Sequence, residues 1–285
     1  MNITNDCVKC IVGQIQKATK LLNLDEKLSN KIMTEVHKRS KNFSFNDTPP
    51  YVAKDVYEYL GKMTNLEDPL EKLKQESIKK ATSYLPLINE KIKNSEDKLY
   101  TAIKAAVAGN VIDFATTKEF SLDEEINSIF ETNFSVNDYK LFKEELFKTD
   151  KLIILSDNAG ENVFDKVLAK TIKKLYPNLK IYYATRGKAI INDITTKEAF
   201  QVGIDEYCEV ISSGVDTPGL EKSQANEDFL KLFHSVPLVL SKGMGNFESL
   251  ESYKDKRIFF LFKVKCEVVA NKIQRNLGEI ILKRG

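Results

Sequence analysis

From Lys151 onward, five short apolar runs, LIILS (152–156), KIYYA (180–184), YCEVIS (207–212), PLVLS (237–241) and RIFFLF (257–262), alternate with amphipathic stretches. β-branched and aromatic residues suit strands, and a strand that is apolar almost throughout must be covered on both faces. Parallel neighbours cannot be joined by a tight turn, so each needs a crossover. The segment ENVFDKVLAKTIKKL supplies one, with Val163, Phe164, Val167, Leu168, Ile172 and Leu175 on a single helical stripe. The pattern predicts an α/β domain over residues 148–285, built on a parallel sheet with helices on both faces.

Residues 1–147 read differently. Apolar spacing of three and four in CIVGQIQKATKLL and LSNKIMTEVHKR predicts helices. Asn46-Asp47-Thr48-Pro49-Pro50 is a turn leading into the helix AKDVYEYLGKM, and Asp68-Pro69 starts another that runs toward Tyr84. The segment LYTAIKAAVAGNVIDFA is a further apolar helix, rich in small residues. A helical N-terminal domain over 1–147 is therefore expected ahead of the sheet, and 285 residues suffice for one large domain or two ordinary ones.

The 43 basic and 41 acidic residues nearly cancel, so a net charge of +2 gives no broad attraction to nucleic acid, and no nucleic-acid partner is expected. No run approaches the roughly 20 apolar residues that span a bilayer, and MNITNDCVKC lacks the regions of a signal peptide. The expectation is a cytoplasmic protein without a membrane partner. Four cysteines are too few for a disulfide scaffold, and Cys208 and Cys266, in strand-like runs, are expected to pack as core residues.

In open parallel sheets ligands bind beyond the carboxyl ends of the strands. The residues there are polar: Ser156-Asp157-Asn158-Ala159-Gly160-Glu161 after the first run, Thr185-Arg186-Gly187-Lys188 and then Asn192-Asp193 after the second, Ser212-Ser213-Gly214-Val215-Asp216-Thr217-Pro218-Gly219 after the third, and Ser241-Lys242-Gly243-Met244-Gly245-Asn246 after the fourth. Asp157 and Asn158 can give two oxygen ligands to a hard divalent cation, with Asp193 a third, leaving positions open for water and substrate. Such an ion activates water and polarises a phosphoryl oxygen. Amides of the helix beginning near Glu161, and Lys242 with its following glycines, suit an anion. Each feature also has a plainer reading: Asp157 as a helix cap, Lys242 as a solvated lysine, Gly243-Met244-Gly245 as a turn, and Arg186 and Lys188 as exposed loop cations. Convergence on one rim favours the site.

Cys7-Val8-Lys9-Cys10 lacks a second Cys or His pair at finger-like spacing, so a self-contained structural zinc is not expected; a redox pair, partial metal ligation and simple packing all remain open. His37 and His234 are the only histidines, which speaks against a histidine metal cluster or a serine-hydrolase triad. Asn110 and Asp113 are polar residues in an apolar helix, to be read either as buried for function or as helix-end caps.

Read together, these segments resemble the damage-control phosphatase family, formerly domain of unknown function eighty-nine, in its short prokaryotic-type branch. The resemblance spans nearly the whole chain: Cys7-x-x-Cys10, Thr48-Pro49-Pro50, Glu67-Asp68-Pro69, Gly109-Asn110-x-x-Asp113, Asp157-Asn158-Ala159-Gly160-Glu161, Asn192-Asp193, Ser213-Gly214-x-Asp216-Thr217-Pro218-Gly219, Lys242-Gly243-x-Gly245-Asn246-x-Glu248 and Lys265-Cys266. It implies a helical N-terminal part on a three-layer, Rossmann-like, mainly parallel α/β domain, and a metal-dependent phosphatase of small phosphate esters. It also implies ligation of manganese, cobalt, nickel or magnesium by Asp157, Asn158 and Asp193, and contact of Lys242 with the substrate phosphate. Met244 departs from the pattern, standing where a glutamine is expected.

On this reading Asp157, Glu161, Asp216 and Lys242 are the catalytic candidates, with Glu161 or Asp216 orienting or deprotonating the water. Asn110, Asp113, Arg186, Ser213, Lys242, Gly243, Gly245 and Asn246 are the substrate-binding candidates. Asp157 as a covalent nucleophile is a variant, weakened because no second Asp follows two positions later. Carboxyl methyl transfer from a nucleotide donor is an alternative, although no glycine-rich dinucleotide turn follows the first run. A non-catalytic nucleotide or metal sensor is the third.

Overall fold

The computed structural model describes residues 1–109 and 119–285. The first part is helical: α1 (Asn5–Leu21), α2 (Glu26–Ser40), α3 (Pro49–Thr64), α4 (Glu71–Ser83), α5 (Leu85–Asn94), α6 (Lys98–Ala108) and α7 (Glu119–Glu131). Local chemistry sets the boundaries. Thr48 caps α3 by accepting from the Tyr51 amide, with prolines in the first turn, and Asp97 caps α6 by accepting from Leu99 and Tyr100. Asp68 does not cap α4, which begins at Glu71; its carboxylate accepts from the Leu70 amide and pairs with buried Lys74 at 2.7 Å.

The chain then runs β1 (Val136–Asn137), α8 (Tyr139–Lys148), β2 (Lys151–Leu155), α9 (Glu161–Leu175), β3 (Lys180–Thr185), α10 (Thr196–Gln201), β4 (Glu209–Ser212), α11 (Glu227–Ser235), β5 (Leu238–Lys242), α12 (Gly243–Leu250), β6 (Ile258–Lys263), α13 (Glu267–Ile273) and β7 (Ile280–Arg284). One sheet carries them in the order β1-β7-β6-β5-β2-β3-β4. Neighbours are parallel except β6 and β7, which pair antiparallel from Phe259↔Arg284 to Lys263↔Ile280. The mixed α/β architecture with a mainly parallel sheet is the expected one. β1, at one edge of the sheet, and β7, between it and β6, lie outside the five runs.

β2 and β5 lie at the centre of the sheet, and their residues Ile153, Ile154, Val239 and Leu240 are fully buried. One face packs on α9 and on helices of the first part, so that Ile103 of α6 and Phe164 of α9 share a core; the other packs Phe229, Phe233 and Phe247 against Ile153 and Phe260. Leu175 departs from the expected α9 stripe: it ends the helix and is 47% exposed. Cys208 is buried in the core beneath α9, whereas Cys266 is no strand residue but the half-buried cap of α13, its sulfur accepting from the Val269 amide. A third cluster joins α1, α2 and α3 around Ile15, Ile32 and Val56. No described helix is long and apolar enough to cross a membrane.

Candidate metal centre and active-site cleft

β2 and β3 end side by side, and the two loops that follow pair with each other. Asn158 and Asp193 face one another in an isolated antiparallel bridge, the Ile194 amide donates to the Asp157 carbonyl at 3.0 Å, and the Ala159 amide donates to the Asn192 carbonyl at 2.8 Å. This stitching brings Asp157, Asn158 and Asp193 to one spot although two come from one strand end and one from another. Asp157 does not cap α9; the cap position belongs to Gly160, with no side-chain cap bond.

The amide nitrogen of Asn158 donates to Asp157 Oδ2 (3.0 Å) and Glu161 Oε1 (3.3 Å), so its side-chain carbonyl oxygen is the atom available to a cation. Arg186 is not an exposed loop residue. Only 2% of it is accessible, its Nε donates to Asp193 Oδ2 at 2.7 Å, its Nη1 donates to Asn246 Oδ1 at 3.1 Å, and its Nη2 lies 3.9 Å from Asp157 Oδ1. Lys188, by contrast, points into solvent.

Burial raises the Asp157 carboxyl well above the usual carboxylate range, and the negative fields of Glu161 and Asp193 push it further; Arg186 and Lys265 pull the other way. Burial also raises Asp193, against the opposing field of Arg186. Lys242 sits between Glu161 Oε2 (3.1 Å) and Asp165 Oδ1 (2.7 Å), fully enclosed. Burial alone would lower its pKa, but the two carboxylates overcome that and hold the ammonium charged. Its charge is thus already engaged by protein groups, a placement different from the direct phosphate contact expected of it.

Other expected residues separate into two groups. Gly243 has φ +77°, and a Cβ there would overlap the Asp157 carboxylate; a Cβ at Gly245 would overlap the Pro218 carbonyl. Both glycines therefore allow close packing under the site. Asn246 is fully buried and braces the floor: its nitrogen donates to the Ser156 and Lys242 carbonyls, and its oxygen accepts from Arg186 and the Leu220 amide. Ser213 donates to the Thr185 carbonyl and supports its own turn. Asp216 is not brought to the trio; Lys54 pairs with it at 2.7 Å. Asn110 and Asp113 lie outside the described residues.

Asp157, Asn158 and Asp193 open onto a cleft of about 900 Å³ whose other walls include Tyr57, Pro49, Met244 and Lys265 and which extends to Cys7, Cys10 and Cys266. Among the described residues no three His, Cys, Asp or Glu side chains form a ready-made metal cluster. The candidate trio takes one ligand from an amide, and its donor set fits a hard divalent cation because every ligand atom is oxygen. Charge supports the fit: Asp157, Glu161, Asp165, Asp193 and Glu198 are five buried carboxylates, interleaved with three buried cations, Lys74, Arg186 and Lys242. A divalent ion would offset this excess of buried carboxylates over buried cations. In addition, Arg186 Nη2, 3.9 Å from Asp157 Oδ1, is buried without a hydrogen-bond partner, as are Ser156 Oγ and Ser241 Oγ at the carboxyl ends of β2 and β5.

Fold and site together define an α/β protein with a cleft at the carboxyl edge of a mainly parallel sheet, onto which Asp157, Asn158 and Asp193 open. The chain belongs to the damage-control phosphatase ARMT1-like domain family, whose profile matches residues 3–281. It is 33% identical to an uncharacterised protein of Methanocaldococcus jannaschii, over 100% of this chain and 96% of that one. It is 29% identical to a damage-control phosphatase of Archaeoglobus fulgidus, over 99% of each. The crystal structure of a DUF89 family protein from Pyrococcus horikoshii superimposes with a TM-score of 0.91 at 28% identity, covering 100% of this chain and 99% of that one.

Three residues of this neighbourhood were given no role by the sequence reading. Lys74 comes from the helical part and had no local signal. Asp165 lies one turn into α9, where a carboxylate reads as solvated. Lys265 follows β6, and the rule applied to the other strand ends would have found it.

Proposed function

We propose that this protein is a metal-dependent phosphatase of the short prokaryotic-type branch with an N-terminal CxxC, hydrolysing small phosphorylated metabolites such as sugar phosphates or damaged phosphometabolites. The observation that carries the reading is the excess of buried carboxylates over buried cations around an oxygen-bearing trio that opens into a cleft. Family membership supplies the reaction class.

Asp157, Asn158 and Asp193 would hold manganese, cobalt, nickel or magnesium. Such an ion lowers the pKa of a bound water and polarises a phosphoryl oxygen. The protein's own groups do the rest. Arg186 fixes Asp193 and leaves Nη2 without a hydrogen bond beside Asp157, where it can stabilise charge that develops on a phosphoryl oxygen. Lys242 fixes Glu161, and Glu161 holds the amide nitrogen of Asn158. Of the two carboxylates considered for the water, Glu161 adjoins the trio through Asn158 while Asp216 pairs with Lys54 of α3, so proximity gives the proton-accepting role to Glu161.

The test is phosphate release from a panel of sugar phosphates and cofactor-derived phosphate esters, with each divalent metal in turn. Turnover that requires metal and disappears in Asp157→Ala is expected. Full activity of Asp157→Ala, or activity indifferent to chelation, would overturn the site.

A further inference from the structure

Beyond Asp157, Asn158 and Asp193 the cleft is walled by two helices of the first part, α1 through Cys10, Ile11 and Gln14, and α3 through Pro50, Ala53 and Tyr57. A volume of about 900 Å³ holds far more than a phosphoryl group, so these walls face the rest of whatever ester is bound. Two of their polar side chains are joined: the Tyr57 hydroxyl donates to Gln14 Oε1 at 3.3 Å. Gln14 Nε2 in turn donates to Cys10 Sγ at 3.5 Å, a weak acceptor. Tyr57 is buried and Gln14 half-buried. Burial, with the negative fields of Cys10 and Asp193 added, raises the Tyr57 phenol, so it keeps its proton and stays neutral. The field of Asp193 also ties this phenol to the end of the cleft where the trio opens.

We infer that Gln14 and Tyr57 are specificity-determining residues that hydrogen-bond a neutral hydroxyl on the leaving group of a phosphate ester seated against Asp157, Asn158 and Asp193. This rests on the phosphatase reading and adds to it the wall that reads the leaving group. A primary amide has two N–H groups, and one of Gln14's is engaged only by sulfur; a phenol that donates its proton keeps its oxygen as an acceptor. The pair therefore offers a donor and an acceptor side by side. A hydroxyl uses both, because it accepts and donates at once. A carboxylate or second phosphate has no proton to give the phenol oxygen, and an ammonium cannot accept from the amide. The charged residues on the walls outside the trio carry both signs, Asp6, Glu248 and Glu267 with Lys17, Lys263 and Lys265, so they do not favour a leaving group of either charge. Ile11 and Ala53 lie one helical turn before Gln14 and Tyr57 and give the carbon skeleton an apolar surface.

The experiment uses the metal-loaded full chain and compares kcat/KM for glycerol 1-phosphate, ribose 5-phosphate and glucose 6-phosphate with that for n-pentyl phosphate, whose leaving group has no further hydroxyl. Wild type should turn over the best of the hydroxylated esters about tenfold or more faster than the alkyl ester, since a site built for a hydroxyl leaves its own polar groups unpaired when none arrives. Gln14→Met and Tyr57→Phe, which keep size but lose the polar atoms, should each lower that ratio by about tenfold. Melting temperature reports folding in both. A purely structural role would lower both substrates together and leave the ratio where it was. An unchanged ratio in either folded variant would overturn the assignment of that residue. A wild type without preference for the hydroxylated esters would overturn the inference without recourse to variants, leaving the phosphatase reading intact. Absence of metal-dependent turnover of every ester would overturn that reading as well.

Discussion

Arg186 Nε donates to Asp193 Oδ2 across 2.7 Å with both side chains buried. A buried pair of this kind owes its net stability to the completeness of its contacts, and removing one partner strands the other charge. Arg186→Met should therefore destabilise the metal-free protein by about 3–5 kcal/mol. Adding Asp193→Leu in the same chain should return part of that loss. Denaturant titration of the single and double variants checks the relationship, and additive losses would show that the two groups act independently.

Gly243 lies at φ +77° with its Cα against the Asp157 carboxylate, and Gly278 lies at φ +85° with open space where a Cβ would go. The two positions separate backbone strain from displacement of a ligand. Gly278→Ala should cost only about 1–2 kcal/mol of stability, from the left-handed backbone alone. Gly243→Ala adds a clash that moves Asp157, and misplacement by an ångström at a reacting centre costs on the order of 100-fold in rate. Metal-dependent turnover compared at equal folded fraction distinguishes them. Equal effects at the two glycines would mean that Asp157 is not position-sensitive.

The strand runs and the polar residues after them were legible because both are local: apolar continuity marks β2, β3, β5 and β6, and the carboxyl-end rule needs only the next few residues. What was not legible depends on side chains meeting across the fold. Arg186 read either as a substrate-binding residue or as an exposed cation, because nothing nearby in sequence announces that Asp193 and Asn246 enclose it. Lys242 read as a phosphate contact because Asp165, its 2.7 Å partner, looks like an ordinary helix carboxylate. β7 was missed because its run is short and ends in Lys-Arg, and its antiparallel pairing with β6 follows no crossover pattern.

Burial and the neighbouring carboxylates raise the Asp157 pKa, which makes metal binding a proton-linked event. A carboxyl whose folded pKa lies above its unfolded one binds extra protons in the folded state, so the chelated protein should lose stability as pH rises above the usual carboxylate range. A bound divalent ion reverses this by favouring the ionised form. The rise in melting temperature on adding metal should grow as pH rises above the usual carboxylate range. At a metal concentration of about 100 times Kd the stabilisation should be about 2.7 kcal/mol. Calorimetry in buffers of different ionisation enthalpy should show protons released on binding; no release would count against Asp157 as a ligand.

Glu248, on α12 and at the cleft, is a second source of pH dependence, separable from the first by working with metal-saturated protein. Burial raises its carboxyl to about 7, Glu221 adds to that, and the N-terminal ammonium opposes it. The sign follows as for any raised carboxyl: the folded state holds the proton more tightly, so its contribution is fully present below the unfolded value near 4.5 and is lost as pH rises through about 7. Stability of the metal-saturated wild type should therefore fall across that window, by on the order of 2–3 kcal/mol. Glu248→Gln carries no titratable proton and should flatten the slope, leaving the variant more stable than wild type above pH 7 and close to it below 4.5. Denaturant midpoints taken across the window decide the matter: parallel curves for the two proteins would mean that Glu248 is solvated in the folded state and titrates like a surface carboxylate.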